Sequence, residues 1–216
     1  MPNRSGSTRV VSPGLVGRAV ELELLASVVA HGPAVALVEG EAGVGKTRMI
    51  RELRGHAALA DRVFLAGGCR RIREPFPLGA VLDSVRGLGD RLASLVLSPV
   101  TGALRPLLPE LATYLPPGLE PLGDRSGERH RVFRGLVELL AALGSSVVVL
   151  EDLHWADDHT IDFVRYLPDD PPSMLAAVLT YRGEELPDEE RTLGSRLPPA
   201  RRSRTWTIGR ISRCGR

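Results

Sequence analysis

The chain has 216 residues, 43% of them hydrophobic but only 4% aromatic, and a net charge of +2. That length suits one domain with a core built mainly from Leu, Val and Ala. Two distant cysteines, Cys69 and Cys214, exclude a disulfide framework or a cysteine-based zinc site, and no apolar stretch is long enough for a transmembrane helix, so a soluble cytoplasmic protein is expected.

The charge is unevenly spread. From Arg191 to Arg216 there are eight arginines and no acid, which leaves −6 on the preceding 190 residues. No aromatic interleaving or recognition motif accompanies this basic end, so direct nucleic-acid binding is not expected. Residues 1–12 read as a disordered N-terminus, 13–209 as one domain and 210–216 as an irregular basic tail.

Residues 18–31 form the first expected helix, with Val20, Leu24, Leu25 and Val28 as its apolar stripe and Gly32-Pro33 as its stop. Ala34 to Val38 is an apolar run suited to a buried strand, and Lys46 to Ala60 has helical spacing with Met49, Ile50, Leu53 and Ala57 on one face. Between them lies Gly40-Glu41-Ala42-Gly43-Val44-Gly45-Lys46-Thr47, a complete GxxxxGK[ST] loop. Its glycines allow backbone N–H groups to converge on phosphate oxygens at the positive end of a helix; Lys46 reaches the outer phosphates and the Thr47 hydroxyl can ligate Mg²⁺. Lys46 is the single lysine of the chain, every other base being arginine. A compact ammonium suits triphosphate oxygens wrapped by a loop better than the larger planar guanidinium does. Arg48, Arg51 and Arg54 read as a solvated helix face.

Further on, 63–66 is an expected second strand, and Cys69 just after it reads as a buried small apolar residue. Residues 78–97 read as a helix weakened at Gly87 and Gly89, and 98–127, rich in Pro and Gly, as irregular with a short helix near 107–114. A helix over 128–143 stops at Gly144, a strand covers 147–150, a helix capped by Asp157 runs to Leu167, and strands follow at 175–180 and, more weakly, 205–208. Strands separated by helices imply an α/β fold, a parallel sheet flanked by helices on both faces.

The 147–150 strand leads into Glu151 and Asp152. Downstream of a phosphate loop this is the form of a Walker B element, with Glu151 supporting Mg²⁺ and Asp152 near the attacking water, both being candidate metal contacts. Arg182, just beyond the 175–180 strand, is a candidate γ-phosphate sensor. His154 and Trp155 lack a third ligand at metal spacing and read as loop packing. A Rossmann GxGxxG would need glycine where Arg48 stands, and a guanine-reading Lys-x-Asp motif cannot exist with Lys46 as the single lysine, so adenine is the expected base.

Leu15-Val16-Gly17-Arg18 with Glu21, the loop GEAGVGKT, Leu150-Glu151-Asp152-Leu153-His154-Trp155-Ala156-Asp157 and Thr180-Tyr181-Arg182 together resemble the AAA-type P-loop ATPase module of STAND signalling proteins, nearest to that of large ATP-binding LuxR-type transcriptional regulators. The resemblance implies a P-loop NTPase with a five-stranded parallel sheet and the phosphate-loop strand central, ATP and Mg²⁺ as ligands, and base contacts from Val16, Gly17 and Arg18. It also implies that the catalytic set is Lys46, Glu151, Asp152 and Arg182. Glu151 departs from the aspartate usual in the family. The chain also ends where family members continue into a helical lid, a sensor region and a DNA-binding domain, so a truncated or frame-shifted end is expected. The function expected is a slow ATP hydrolase serving as a nucleotide switch in transcriptional regulation. A non-catalytic remnant or interaction module is the alternative, and a small-molecule kinase a third reading. Beyond ATP or ADP, self-association or a protein partner is left open.

Overall fold

Residues 17–71, 76–167, 172–185 and 204–211, the last as backbone alone, are described by the computed structural model of the chain. The elements in order are α1 (Ala19–Ala30), β1 (Ala34–Gly40), α2 (Lys46–Arg54), β2 (Val63–Gly68), α3 (Gly79–Arg86), α4 (Arg125–Ala142), β3 (Ser146–Glu151), α5 (Asp158–Tyr166), β4 (Leu175–Tyr181) and β5 (Arg204–Ile211). The strands lie in the order β2-β3-β4-β1-β5, with every pairing parallel. Four of them carry described side chains. The fifth pairs with β1 through its backbone, from Ala34 opposite Arg204 to Gly40 opposite Ile211, so residues 210 and 211 belong to a strand rather than to a tail. The expected disordered segment 1–12 and residues 212–216 lie outside the described residues.

The two faces of the sheet follow from strand alternation. Ala34, Ala36 and Val38 of β1, Val147 and Val149 of β3, and Ala176 and Val178 of β4 pack with α1 and α2. Their neighbours in sequence, Val35, Leu37, Val148, Leu150, Leu175, Ala177 and Leu179, point the other way and pack with α3, α4 and α5. Because both faces are covered there, the central strands β1, β3 and β4 are mostly apolar instead of alternating with polar residues.

Several helix boundaries differ from the sequence expectation. In α1 the buried stripe is Leu25, Ala26, Val28 and Val29, whereas Val20 is 80% and Leu24 48% exposed. That helix is apolar around most of its circumference, so periodicity could not fix which side faces inward. The α2 helix stops at Gly55 and leaves Ala57 exposed in a short 3₁₀ turn, so Ala57 does not share the buried face of Met49, Ile50 and Leu53. The expected 78–97 helix breaks at Gly87 and resumes as a 3₁₀ turn over Gly89–Ser94. The α4 helix starts three residues early because the Asp124 carboxylate accepts the Gly127 N–H at 2.7 Å, a side-chain cap. Most different is 98–127. It holds two 3₁₀ turns, Pro99–Leu104 and Pro109–Leu111, in place of a 107–114 helix, and it sends Leu104, Leu108, Leu111 and Leu115 into the core against α4.

Close backbone packing beside β2 yields one stability prediction. A Cβ built on Gly67 would lie 1.8 Å from the carbonyl oxygen of Ala80 in α3, so only glycine lets the strand and helix meet. Gly67→Ala is expected to destabilise the fold by about 3 kcal/mol, because backbone rather than a flexible side chain must move. Urea denaturation of the two proteins measures the difference; a change below about 0.5 kcal/mol would contradict this packing.

Candidate nucleotide site

β1 delivers the chain to the phosphate loop, and the loop's shape depends on glycine at two points. Gly43 (φ 73°) and Gly45 (φ 98°) both occupy the left-handed region, and Gly45 is also the N-cap of α2. No side chain caps that helix, so its first N–H groups are left for a ligand. Glu41, Ala42, Gly43 and Thr47 are exposed around the loop, while Val44 is buried and anchors it to the core of α1 and α2.

Lys46, in contrast, is only 7% exposed. Its Nζ donates to the carbonyls of Gly40 at 2.5 Å and Glu41 at 3.1 Å, folding the side chain back across the loop mouth. Burial pushes its pKa down, and the charge of Asp152 pulls it back up. An ammonium has three N–H donors and here meets only two neutral carbonyls, an arrangement that fits a phosphate oxygen as a further partner.

Sheet order brings the other candidates to the same edge. β4 lies between β1 and β3, and its register sets Tyr181 opposite Glu39, so Arg182 emerges level with Gly40 at the root of the loop. From β3, Glu151 is half-buried at the strand end, and its carbonyl accepts the Cys69 N–H at 2.8 Å. Asp152 follows with φ 56°, a left-handed conformation rare for a residue with a side chain. Its N–H donates to the buried Thr180 hydroxyl at 3.1 Å, which fixes the turn against β4. Local strain of this kind costs of order 1 kcal/mol and concentrates at functional positions. The charges of Asp152, Arg182, Glu184 and Glu185 all act on Lys46, so the loop, the β3 end and the β4 end form one electrostatic unit.

Of the candidate base contacts, Gly17 is exposed with φ 76° and Arg18 is the N-cap of α1; Val16 lies outside the described residues. Arg48 is half-buried and pairs with Glu52 at 3.8 Å, so it departs from the expected solvated face, whereas Arg51 and Arg54 are exposed. Cys69 is buried, which pushes its thiol up to about 12, and so it is a packing residue rather than a nucleophile.

Sequence reasoning missed a second layer around Arg182. Its guanidinium lies 5.2 Å from the Trp155 ring centre and donates to Glu185 Oε1 at 2.5 Å. Trp155 in turn packs against His154, whose side chain is fully buried and 3.4 Å from Glu185 Oε2. His154 and Trp155 therefore do more than fill a loop, since they build the wall on which Arg182 rests. Tyr181 donates to Glu39 Oε2 at 3.3 Å, and burial together with Glu39 pushes its phenol up to about 12. Asp157 caps α5 through the Thr160 N–H, as expected, but the same Oδ1 accepts the Leu78 N–H at 3.0 Å and so ties α5 to the start of α3. A cleft of about 220 Å³ lined by Cys69, Arg70, Phe76, Trp155 and Asp157 lies beside this wall, away from the phosphate loop.

A glycine loop closing on a buried lysine at a helix start, with carboxylates and an arginine at neighbouring strand ends of a parallel sheet, defines a P-loop nucleotide-binding domain. The chain belongs to the AAA ATPase domain family, whose model matches residues 14–180. It is similar to the uncharacterized protein R02095 of Rhizobium meliloti (strain 1021), with 29% identity over 171 residues that make up 69% of this chain and 16% of that protein. It therefore spans about one sixth of that relative's length. Among solved structures, it is similar to Drosophila ORC bound to AT-rich DNA and Cdc6, with a TM-score of 0.48 and 11% identity over 89% of this chain and 54% of the other. It is also similar to a STAND protein with a tetratricopeptide repeat sensor, PH0952 from Pyrococcus horikoshii, with a TM-score of 0.45 and 15% identity over 91% of this chain and 23% of that one. No helix among the described residues is long and apolar enough to cross a membrane.

Proposed function

We propose that this chain binds ATP with Mg²⁺ and hydrolyses it slowly, so that the bound nucleotide acts as a switch. The observation that carries the reading is the buried Lys46 ammonium, held across the mouth of the glycine loop and facing the charges of Asp152 and Arg182. Lys46 and the N–H groups at the start of α2 bind phosphate oxygens; Arg182 meets the terminal phosphate; Asp152 orients the attacking water. Thr47, Glu151 and Asp152 would hold the Mg²⁺, which supplies neutralisation of the phosphate charge. Among the described residues no group of three or more His, Cys, Asp or Glu is placed to hold a metal, which fits a cation that would be held together with the nucleotide.

Turnover is expected well below the roughly 10 s⁻¹ median of enzymes. The longer Glu151 side chain sets its carboxylate one methylene further out than the family's usual aspartate, and Asp152 is one methylene shorter than the glutamate typical of fast AAA-type enzymes. A place in a LuxR-type or other STAND regulator rests on the set of four motifs, and Val16, Gly17 and Arg18 are assigned to adenine on the same ground. Competition against a labelled adenine nucleotide tests the base assignment: ATP should displace the label at least about tenfold better than GTP. Equal displacement by the two would leave phosphate recognition alone and overturn the adenine contact.

A further inference from the structure

Arg182, the candidate sensor, is engaged before any nucleotide arrives. It donates to Glu185 Oε1 at 2.5 Å from the turn that follows β4, while its guanidinium stays against Trp155. Its Nε is buried without a hydrogen-bond partner, and so are both ring nitrogens of the fully buried His154. His154 Nε2 lies 3.4 Å from the second oxygen of the same carboxylate. Glu185 thus stands between a cation with a spare donor and an imidazole whose nitrogens make no hydrogen bond. Buried polar groups left in this state favour a rearrangement that gives each of them a partner.

We propose that Glu185 is a latch on Arg182 that sets the discrimination between ATP and ADP. The γ-phosphate of ATP competes with the carboxylate for the guanidinium; Arg182 turns to the phosphate, and Glu185 is left to His154. ADP has no γ-phosphate and leaves the latch closed. The Arg182–Glu185 contact is therefore broken by one nucleotide and not by the other, and its strength is subtracted from the affinity for ATP alone. Both partners keep some solvent exposure, 21% for the Arg182 side chain and 38% for Glu185, so the contact is of the modest kind that a phosphate can replace. The pull of Arg182 holds the Glu185 carboxyl below its ordinary pKa, in keeping with a closed latch in the absence of nucleotide. This inference rests on the proposed ATP-binding role of the loop.

The test is a double-mutant cycle on nucleotide affinity. Affinities for Mg·ATP and Mg·ADP are measured by displacement of a fluorescent adenine nucleotide from the parent, Glu185→Gln, Arg182→Gln and the double variant. Glu185→Gln is expected to raise the ATP-to-ADP affinity ratio about five-fold. That gain should vanish when Arg182→Gln is already present. A ratio unchanged by Glu185→Gln overturns the latch while leaving nucleotide binding intact. The same gain in both backgrounds also overturns it, because plain repulsion between Glu185 and the phosphates does not need Arg182. If the parent binds neither nucleotide, the ATP-binding reading falls and the latch falls with it.

Discussion

Lys46→Ala is expected to lower affinity for Mg·ATP by about a hundred-fold or more. The ammonium is the one fully charged donor buried inside the loop, and charge-assisted hydrogen bonds to phosphate oxygens are worth about 1.5–3 kcal/mol each. Losing one or two of them accounts for the fall, since 1.4 kcal/mol is a factor of about ten. Thermal stability without nucleotide should change far less. The deleted side chain leaves two neutral carbonyls, that of Gly40 buried and that of Glu41 part-buried, but it also removes a buried charge whose desolvation opposes folding, so the two effects offset. The stabilisation that nucleotide adds to the parent should be absent from the variant, because a ligand raises the melting midpoint only through binding to the folded state.

Asp152→Asn is expected to separate turnover from binding. Removing the carboxylate while keeping the shape should cost about a hundred-fold in single-turnover hydrolysis and leave nucleotide affinity within a few-fold, because a water-orienting group acts chiefly in the transition state. Asparagine is the informative replacement on backbone grounds. Position 152 has φ 56°, a conformation that Asn tolerates well and that alanine does not, and the backbone N–H bond to Thr180 is unaffected by the change. Hydrolysis by Asp152→Asn at the parent's rate would show that the role given to this carboxylate is wrong.

The legibility of this domain in its sequence varied with the range of the interactions involved. The phosphate loop was readable because its chemistry is contiguous: eight consecutive residues carry the glycines, the lysine and the hydroxyl. The β3 and β4 strands were readable because burial on both faces demands short apolar runs with no polar alternation. The segment 98–124 was not. Leu104, Leu108, Leu111 and Leu115 do recur at helical spacing, but Pro106, Pro109 and Pro116 interrupt the run, and the chain resolves the conflict with 3₁₀ turns that still bury all four leucines. Nor could the sequence show that Asp157 reaches back to Leu78, since that bond spans 79 positions and depends on where the sheet sets α3. The Arg182–Glu185 pair was in plain sight at a spacing of three. Its significance came only from the stack on Trp155 and from the buried nitrogens of His154 beside it.

Whether the glycine loop binds nucleotide through its lysine is decided by titration calorimetry of Mg·ATP into the parent chain and into Lys46→Ala. The parent is expected to give a saturable isotherm with one site, and Lys46→Ala an affinity lower by about a hundred-fold or no measurable binding. Absence of binding by the parent at millimolar nucleotide, or the same isotherm from both proteins, would contradict nucleotide binding through Lys46.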